Sequence, residues 1–298
     1  MDSMEVILAQ CVEKFNKNVS LSTRVDLLGP PAAGKSTLCH EVLKKIRSES
    51  NLQWVDIQEA KRLATHHVIQ NVIPRIPIQQ RVTQFIRRKI PLKDLYDADN
   101  HPACYSGASI EKFKERLMEA FSELHHSFLE ALAEQWHDPD TTIPPRFERF
   151  NQVRIWIREL LFLATFVGDA RILADNARLT KGMAELLSNR SIHNADQIVA
   201  GYCRSSLAPK GIIHISGKPE TILTRSRQRR EQTGETNPGH ESRSPAEISH
   251  YTDTRNSVNK LAVDFFKKEN IAILQLNAEA DMQTNRNLAI DFLNQFVK

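Results

Sequence analysis

Hydrophobic residues in this chain form short continuous runs that alternate with longer helical repeats. A short run of apolar residues is typical of a strand buried on both faces of a parallel sheet. Apolar residues that recur every three or four positions are typical of the buried face of a helix. Strands that alternate with helices predict an α/β fold, with a five-stranded parallel sheet and helices on both faces. The strand-like runs are residues 24–29, 52–57, 170–175, 211–216 and 271–276.

The longest helical repeat follows the second predicted strand. Apolar residues recur at helical spacing over residues 110–136, and a second repeat covers residues 150–164, after Pro144 and Pro145. These repeats predict a large helical insertion within the α/β core. We therefore divide the chain into an N-terminal helix, a core in two parts and an insertion, at residues 1–20, 21–58 with 168–298, and 59–167.

A further helix start is predicted near residue 244. Ser244 and Glu247 have the spacing of a capping box, in which each side chain accepts a hydrogen bond from the backbone N–H of the other residue. Pro245 then occupies the first helical position, where its missing N–H is not needed. Together these residues predict a helix that begins at Pro245.

Residues 29–36 read GPPAAGKS and match the phosphate-binding pattern G-x-x-x-x-G-K-[ST], the P-loop. Gly29 and Gly34 permit the backbone angles that turn successive N–H groups toward an anion. Lys35 is long enough to reach the β- and γ-phosphates of a nucleotide, and the Ser36 hydroxyl can bind Mg²⁺. The loop therefore predicts ATP and Mg²⁺ as cofactors. The predicted nucleotide-binding residues are Gly29, Pro30, Pro31, Ala32, Ala33, Gly34, Lys35, Ser36 and Thr37.

The motifs of other P-loop classes are not found in the sequence. A GTPase needs an N-K-x-D motif, and the nearest text, NKLA at residues 259–262, lacks the aspartate. The L-S-G-G-Q motif of an ABC ATPase is not present. Asp175 ends the third predicted strand, where a carboxylate can hold the hydration shell of a Mg²⁺ ion opposite Ser36. The alternative is that Asp175 caps the next helix.

Several arginines follow the fourth predicted strand. Arg225 and Arg229 are four residues apart and therefore share one face of the predicted helix. At the mouth of a P-loop they can close over the triphosphate and neutralise the charge of the transferred phosphoryl group. The alternative is a basic helix face exposed to solvent.

Three features together resemble the nucleoside- and nucleotide-kinase-like group, which includes thymidylate and deoxynucleoside kinases. They are the P-loop, the D-N-x-R text after the third strand, and the pattern P-E-x-x-x-x-R-x-x-x-R after the fourth strand. The resemblance covers residues 24–58 and 168–298. It implies a P-loop NTPase fold, phosphoryl transfer from ATP, and a mobile arginine-bearing lid at about residues 225–245.

The resemblance also implies roles for single residues. Arg225 and Arg229 are implied lid arginines, Asp175 and Arg178 flank the acceptor site, and the loop after the LQLNA text approaches the adenine. The chain departs from the group in its much larger insertion and in the D-N-A-R text that begins at Asp175. No signature for a nucleoside base is present, so the acceptor can equally be a sugar, a metabolite or a protein-linked group.

Four further residues are candidates for the acceptor side of the site. Asp56 and Glu59 lie at the end of the second predicted strand, where related kinases keep a carboxylate that orients or deprotonates the acceptor. The alternative is an ordinary surface carboxylate. Arg81 and Arg88 are seven residues apart and would share a helix face that can hold an anionic acceptor. The alternative is a solvated basic face.

Composition and charge exclude some partners. Among 298 residues there are 40 Lys and Arg and 36 Asp and Glu, and a net charge of +4 does not predict a nucleic-acid partner. No apolar segment approaches the length of a membrane span, and the N-terminus lacks a signal-peptide pattern, so we expect a cytoplasmic protein without a membrane partner. Four widely spaced cysteines are expected to be reduced thiols. The oligomeric state stays open.

The favoured function is an ATP- and Mg²⁺-dependent kinase that transfers the γ-phosphoryl group to a small-molecule hydroxyl or phosphate acceptor. The alternative is a partner-regulated P-loop NTPase, a switch or binding module without a small-molecule acceptor. Sulfate transfer from a nucleotide is a third possibility, but the Lys-Ser pair better suits a triphosphate with Mg²⁺. The predicted catalytic residues are Lys35, Asp56, Asp175, Arg225 and Arg229, the metal ligands Ser36 and Asp175, and the acceptor-binding residues Glu59, Arg178, Arg81 and Arg88.

Overall fold

The computed structural model describes Glu13 and residues 23–49, 53–71, 107–134, 143–189, 194–234 and 243–297. The predicted N-terminal helix at residues 1–20, apart from Glu13, lies outside the described residues. The described part of the chain is a mixed α/β structure whose strands form one sheet.

The sheet has five strands in the order β2–β3–β1–β4–β5, and every neighbouring pair is parallel. The central strand is β1, in which Asp26 lies opposite Ala174 of β3 and Ile212 of β4. The predicted five-stranded parallel sheet is therefore confirmed. The strand bounds are β1 Arg24–Leu28, β2 Trp54–Val55, β3 Arg171–Ala174, β4 Gly211–Ser216 and β5 Ala272–Asn277.

Ten α-helices lie within the described ranges. Those of the predicted insertion come between β2 and β3, and the others follow or precede strands of the sheet. None of these helices is both long and apolar enough to cross a bilayer. Their bounds are α1 Lys35–Glu49, α2 Ile57–Asn71, α3 Gly107–Leu124, α4 His126–Glu134, α5 Ile143–Phe166, α6 Arg178–Ser188, α7 Ala195–Arg204, α8 Pro219–Thr233, α9 Pro245–Lys268 and α10 Met282–Asn294.

Within the described residues, the helical repeat at residues 110–136 forms two helices, α3 and α4, rather than one. The chain bends at His125, which separates α3 from α4. Backbone hydrogen bonds nevertheless continue across the bend, from His125 N to Phe121 O at 2.9 Å and from Leu129 N to His125 O at 3.0 Å. The His125 ring packs on the Phe121 ring, with centroids 4.3 Å apart. A local bend keeps the helical spacing of apolar residues, and the spacing alone therefore could not show it.

Two helix starts are set by side chains that cap the first turn. The second strand is shorter than its predicted range of 52–57, because Oδ1 of Asp56 accepts the backbone N–H groups that open α2. The predicted capping box at the start of α9 is confirmed. Glu247 N donates to Ser244 Oγ at 3.4 Å, and Ser244 N donates to Glu247 Oε2 at 2.7 Å.

Apolar layers cover both faces of the sheet. On one face, α1 and α10 pack over Val25 and Leu27 of β1. On the other face, Phe121 of α3 and Ile157 of α5 belong to the same buried cluster as Ile172 of β3. The described helices between β2 and β3 therefore share the core of the sheet. Because side chains alternate along a strand, Arg24 and Asp26 face this second layer.

Candidate active site at the glycine loop

The glycine loop, residues 29–36, joins the end of β1 to the start of α1. Gly29 passes so close to β4 that a Cβ atom there would lie 2.4 Å from the Ile215 carbonyl oxygen. Gly34 has a φ of +92°, a region that L side chains rarely adopt. Ala32 has a φ of +61°, which is uncommon for a residue with a side chain. The path of the loop therefore requires both glycines and holds backbone strain at Ala32.

The Lys35 ammonium is turned toward the backbone of the glycine loop. Its Nζ donates hydrogen bonds to the carbonyl oxygens of Gly29 at 2.9 Å and Pro30 at 2.7 Å. Burial and the nearby Lys181 together lower the pKa of Lys35 to about 8, and Asp175 opposes the shift. Lys181, on α6, was not singled out from the sequence, and the structure adds it to the charges around the loop.

A cavity of about 590 Å³, the loop cavity, opens beside the glycine loop. Ser36, Asp56 and Asp175 were predicted from separate parts of the sequence, and all three line this cavity. They follow β1, β2 and β3, and parallel strands end at the same edge of a sheet. The other lining residues include Cys39, Lys44, Arg47, Gln58 and Asn176.

The pKa of the Cys39 thiol reflects the negative charge of two carboxylates that line the loop cavity. Its thiol is buried and lies 3.7 Å from the Leu173 carbonyl oxygen. Burial, together with the charges of Asp175 and Asp56, raises the pKa of the thiol to about 12, and Arg47 opposes the shift. Cys39 therefore stays protonated and is not a nucleophile. The negative field of the two carboxylates is the setting in which a divalent cation binds well.

The two carboxylates after β2 have different environments. Oδ1 of Asp56 accepts hydrogen bonds from the N–H groups of Gln58 and Glu59, each at 2.8 Å, and Oδ2 makes none with the described residues. The Glu59 carboxylate forms an ion pair with Arg47 of α1. Within the described part of the chain, Asp56 Oδ2 is therefore available at the loop cavity, whereas Glu59 is engaged with a neighbouring helix. Whether either residue binds the acceptor stays a prediction.

Ser36 and Asp175 suit a magnesium ion. Helix α6 has Ala177 at its N-cap position, and among the described residues the Asp175 carboxylate makes no hydrogen bond to the first turn of this helix. In the described ranges, no group of three or more His, Cys, Asp or Glu side chains could hold a metal ion by itself. Mg²⁺ commonly uses one or two protein oxygens together with nucleotide phosphates and water. The hydroxyl and the carboxylate present fit an ion that binds together with a nucleotide.

The two predicted lid arginines differ in their contacts. Nη2 of Arg225 donates to the Ala278 carbonyl oxygen at 2.7 Å, and Nη1 donates to the Ala33 carbonyl oxygen at 3.3 Å. The guanidinium thereby joins α8 to the glycine loop and to the segment after β5. Arg229, one turn further along α8, has an exposed side chain. Their role as lid residues stays a prediction.

A second cavity of about 320 Å³, the sheet-face cavity, adjoins the loop cavity. The two cavities share Ile57, Gln58 and Asn176 as lining residues. Arg178, predicted on the acceptor side, lines the sheet-face cavity. The other predicted acceptor residues, Arg81 and Arg88, lie outside the described residues.

A buried polar network, which sequence reasoning missed, lies at the sheet-face cavity. Arg24 Nε donates to Asp26 Oδ1 at 2.7 Å, and Arg24 Nη2 donates to the Tyr202 hydroxyl at 3.2 Å. The Thr180 hydroxyl donates to Asp26 Oδ2 at 2.6 Å. Burial raises the pKa of Tyr202, which therefore stays neutral. The sequence signal for this network was the pair of charged residues, Arg24 and Asp26, at alternate positions of the otherwise apolar strand β1.

The fold and the site define a mixed α/β protein with a polar site at the carboxyl edge of a five-stranded parallel sheet. No protein-family model matches the chain, and no curated protein matches it. A function must therefore be argued from the glycine loop, the two cavities and the residues that line them.

Proposed function

We propose that this protein is an ATP- and Mg²⁺-dependent phosphotransferase with a P-loop fold, similar to the nucleoside- and nucleotide-kinase-like group. One observation carries the proposal. A G-x-x-x-x-G-K-S loop joins a central parallel strand to a helix, and Ser36, Asp56 and Asp175 surround one cavity beside it. A loop, a hydroxyl and carboxylates in this arrangement provide the groups that bind a triphosphate with its metal ion.

In this proposal the nucleotide binds along the glycine loop. Backbone N–H groups of the loop and the start of α1 face the β- and γ-phosphates. Lys35 exchanges its hydrogen bonds with the Gly29 and Pro30 carbonyl oxygens for bonds with phosphate oxygens. Ser36 and Asp175 would hold the Mg²⁺ that accompanies the nucleotide, and the bound ion would neutralise part of the phosphate charge.

The transfer step uses an acceptor hydroxyl placed beside Asp56. The hydroxyl oxygen forms a bond to the γ-phosphorus, and the bond from that phosphorus to the bridging oxygen breaks. ADP leaves with the electron pair of the broken bond. Asp56 Oδ2, which makes no hydrogen bond with the described residues, accepts the hydroxyl proton. Lys35 stabilises the charge that develops on the phosphate oxygens.

The function is tested by ADP release from Mg·ATP, with and without a panel of nucleosides, nucleotides, sugars and amino alcohols. We expect one acceptor class to raise the rate. Lys35→Ala should lower the rate at least about a hundredfold, because comparable electrostatic donors contribute about 3 kcal/mol. Lys267→Ala, on the exposed end of α9, is the matched control and should leave the rate unchanged.

Two results would redirect the proposal. A Lys35-dependent basal rate that no acceptor raises would favour a partner-regulated NTPase. An unchanged rate in Lys35→Ala, with Lys267→Ala also unchanged, would overturn nucleotide chemistry at the glycine loop.

A further inference from the structure

The sheet-face cavity extends from the loop cavity along the face of the sheet that α5 and α6 cover. At its outer end, Gln58 and Asn176 line both cavities. At its inner end it reaches Arg24 and Asp26 of β1. A volume of about 320 Å³ falls at the small end of the range for ligand pockets. A molecule bound along it would have one end beside the proposed phosphoryl-transfer site.

The inner end of the cavity presents a buried cation with an unused donor. The Arg24 side chain is only 7% exposed. Its Nε and Nη2 donate to Asp26, Tyr202 and the Leu207 carbonyl oxygen. Nη1 makes no hydrogen bond with the described residues, although Arg24 lines the cavity. Nη1 is not among the buried unpaired side-chain atoms of the described residues, so it is open to the cavity and can donate to an oxygen of a ligand.

The wall of the cavity is apolar and partly aromatic. Trp156, Leu160 and Leu163 of α5 form one side, and Leu179 of α6 contributes to the other. The side of an indole ring offers a large flat surface on which a ring of a ligand can stack. The body of the ligand is therefore expected to be flat and apolar.

The charges around the cavity favour an anion. Both carboxylate oxygens of Asp26 accept hydrogen bonds from Arg24 or Thr180, and its charge is paired with Arg24. Glu159 pairs with Lys114 at 2.7 Å and with Lys61 at 3.9 Å. Arg178 makes no ion pair with the described residues, so positive charge is in excess along the lining. An anionic ligand gains from this excess, whereas a cation does not.

We propose that the sheet-face cavity is the acceptor site, and that the acceptor is a small ring-bearing alcohol with a carboxylate remote from its hydroxyl. The ring lies along Trp156, and the carboxylate bonds Arg24 Nη1 at the inner end. The hydroxyl then reaches the shared opening at Gln58 and Asn176, where it attacks the γ-phosphorus in the step given above. This inference rests on the proposed function, and it names the substrate class of the same site.

The first test is direct binding without nucleotide, so that it does not depend on catalysis. The probes are para-(hydroxymethyl)benzoate and its neutral amide, para-(hydroxymethyl)benzamide, titrated by calorimetry. We expect the carboxylate to bind at least about tenfold more tightly than the amide, because a charged acceptor roughly doubles the strength of a hydrogen bond. Arg24→Lys keeps the positive charge but loses the planar guanidinium with its several N–H donors. In this variant the ratio of carboxylate affinity to amide affinity should fall toward one. Absence of carboxylate binding, or an unchanged ratio in the variant, would overturn the proposal.

The second test fills the cavity and stays decisive if Arg24→Lys fails to fold. Leu160→Trp places a larger ring in the wall of the cavity, away from the buried polar network. We expect it to abolish probe binding while a fluorescent ATP analogue still binds. Leu288→Trp, at a 45% exposed position of α10, is the matched control and should keep both. Probe binding by Leu160→Trp as tight as that of Leu288→Trp would overturn the cavity assignment.

Failure of the two proposals can be told apart. If para-(hydroxymethyl)benzoate binds as expected but neither it nor any acceptor of the panel gives Lys35-dependent ADP release, the phosphotransferase function fails. If acceptors raise ADP release but Leu160→Trp leaves their KM unchanged, the function stands and the acceptor site lies elsewhere.

Discussion

Arg225 Nη2 donates a hydrogen bond of 2.7 Å to the carbonyl oxygen of Ala278, and the same guanidinium donates to Ala33 in the glycine loop. Arg225 therefore connects the glycine loop with the segment after β5, for which the kinase resemblance implies a place near the adenine. A cation in this position holds two loops of the site in a fixed relationship before any ligand arrives.

Removal of Arg225 should therefore affect stability as well as nucleotide binding. Arg225→Ala is expected to lower the free energy of unfolding by about 2 kcal/mol, because two carbonyl groups lose a charged donor. Arg227→Ala, at an exposed position of the same helix, should change it by less than about 0.5 kcal/mol. Urea denaturation measures both values. Equal effects of the two variants would contradict the bridging role of Arg225.

Nucleotide affinity should fall as pH rises above 8. Burial lowers the pKa of Lys35 to about 8, so the free protein loses the ammonium charge above that pH. Only the charged form attracts the triphosphate, and binding at higher pH must therefore take up a proton. We expect the Kd for ATP to rise up to about tenfold per pH unit between pH 8 and the ordinary lysine value. Calorimetry in buffers of different ionisation enthalpy measures the proton uptake, which should be absent in Lys35→Ala.

Removal of one partner of the buried Arg24–Asp26 pair should cost much stability, whereas replacement of both partners by apolar residues should cost little. Asp26→Ala leaves the Arg24 charge buried without its partner and is expected to destabilise the protein by about 3–5 kcal/mol. The double variant Arg24→Met with Asp26→Leu removes both charges and should recover most of that loss. Asp253→Ala, at an exposed position of α9, is the control. A double variant as unstable as Asp26→Ala would contradict this account.

Two glycines should respond oppositely to alanine. At Gly29 a Cβ atom would lie 2.4 Å from the Ile215 carbonyl oxygen, so Gly29→Ala should destabilise the protein by about 3 kcal/mol. At Gly182, inside α6, the nearest heavy atom to an added Cβ is 3.7 Å away on Trp156, an ordinary contact. Gly182→Ala should therefore stabilise the protein by about 1 kcal/mol. Thermal unfolding with matched denaturant curves distinguishes the two signs.

The metal dependence of ADP release should depend on Asp175. Asp175→Asn removes a charged oxygen ligand, and we expect the Mg²⁺ concentration for half-maximal rate to rise about tenfold or more. Asp253→Asn removes the same charge from the surface and should not change it. The measurement is a Mg²⁺ titration at fixed ATP, and equal titration curves for wild type and Asp175→Asn would exclude Asp175 from the metal site.

Much of the fold could be predicted from local sequence patterns. Short apolar runs predicted all five strands, because a parallel sheet buries its strands on both faces and its strands are therefore mostly apolar. The capping box of Ser244 and Glu247 was readable for a similar reason, since a cap depends only on residues within one turn. The bend at His125 was not readable, because helical spacing continues through it.

By itself, the sequence determined the strands, several of the helices, and the glycine loop that joins β1 to α1. These features depend on residues close together in the chain. Only the tertiary structure decided the strand order, the meeting of Ser36, Asp56 and Asp175, the bridge from Arg225 to Ala278, and the network of Arg24 with Tyr202. Each of these joins residues that are distant in the chain. Their proximity follows from how the helices pack on the sheet, which no local pattern of hydrophobic and polar residues encodes.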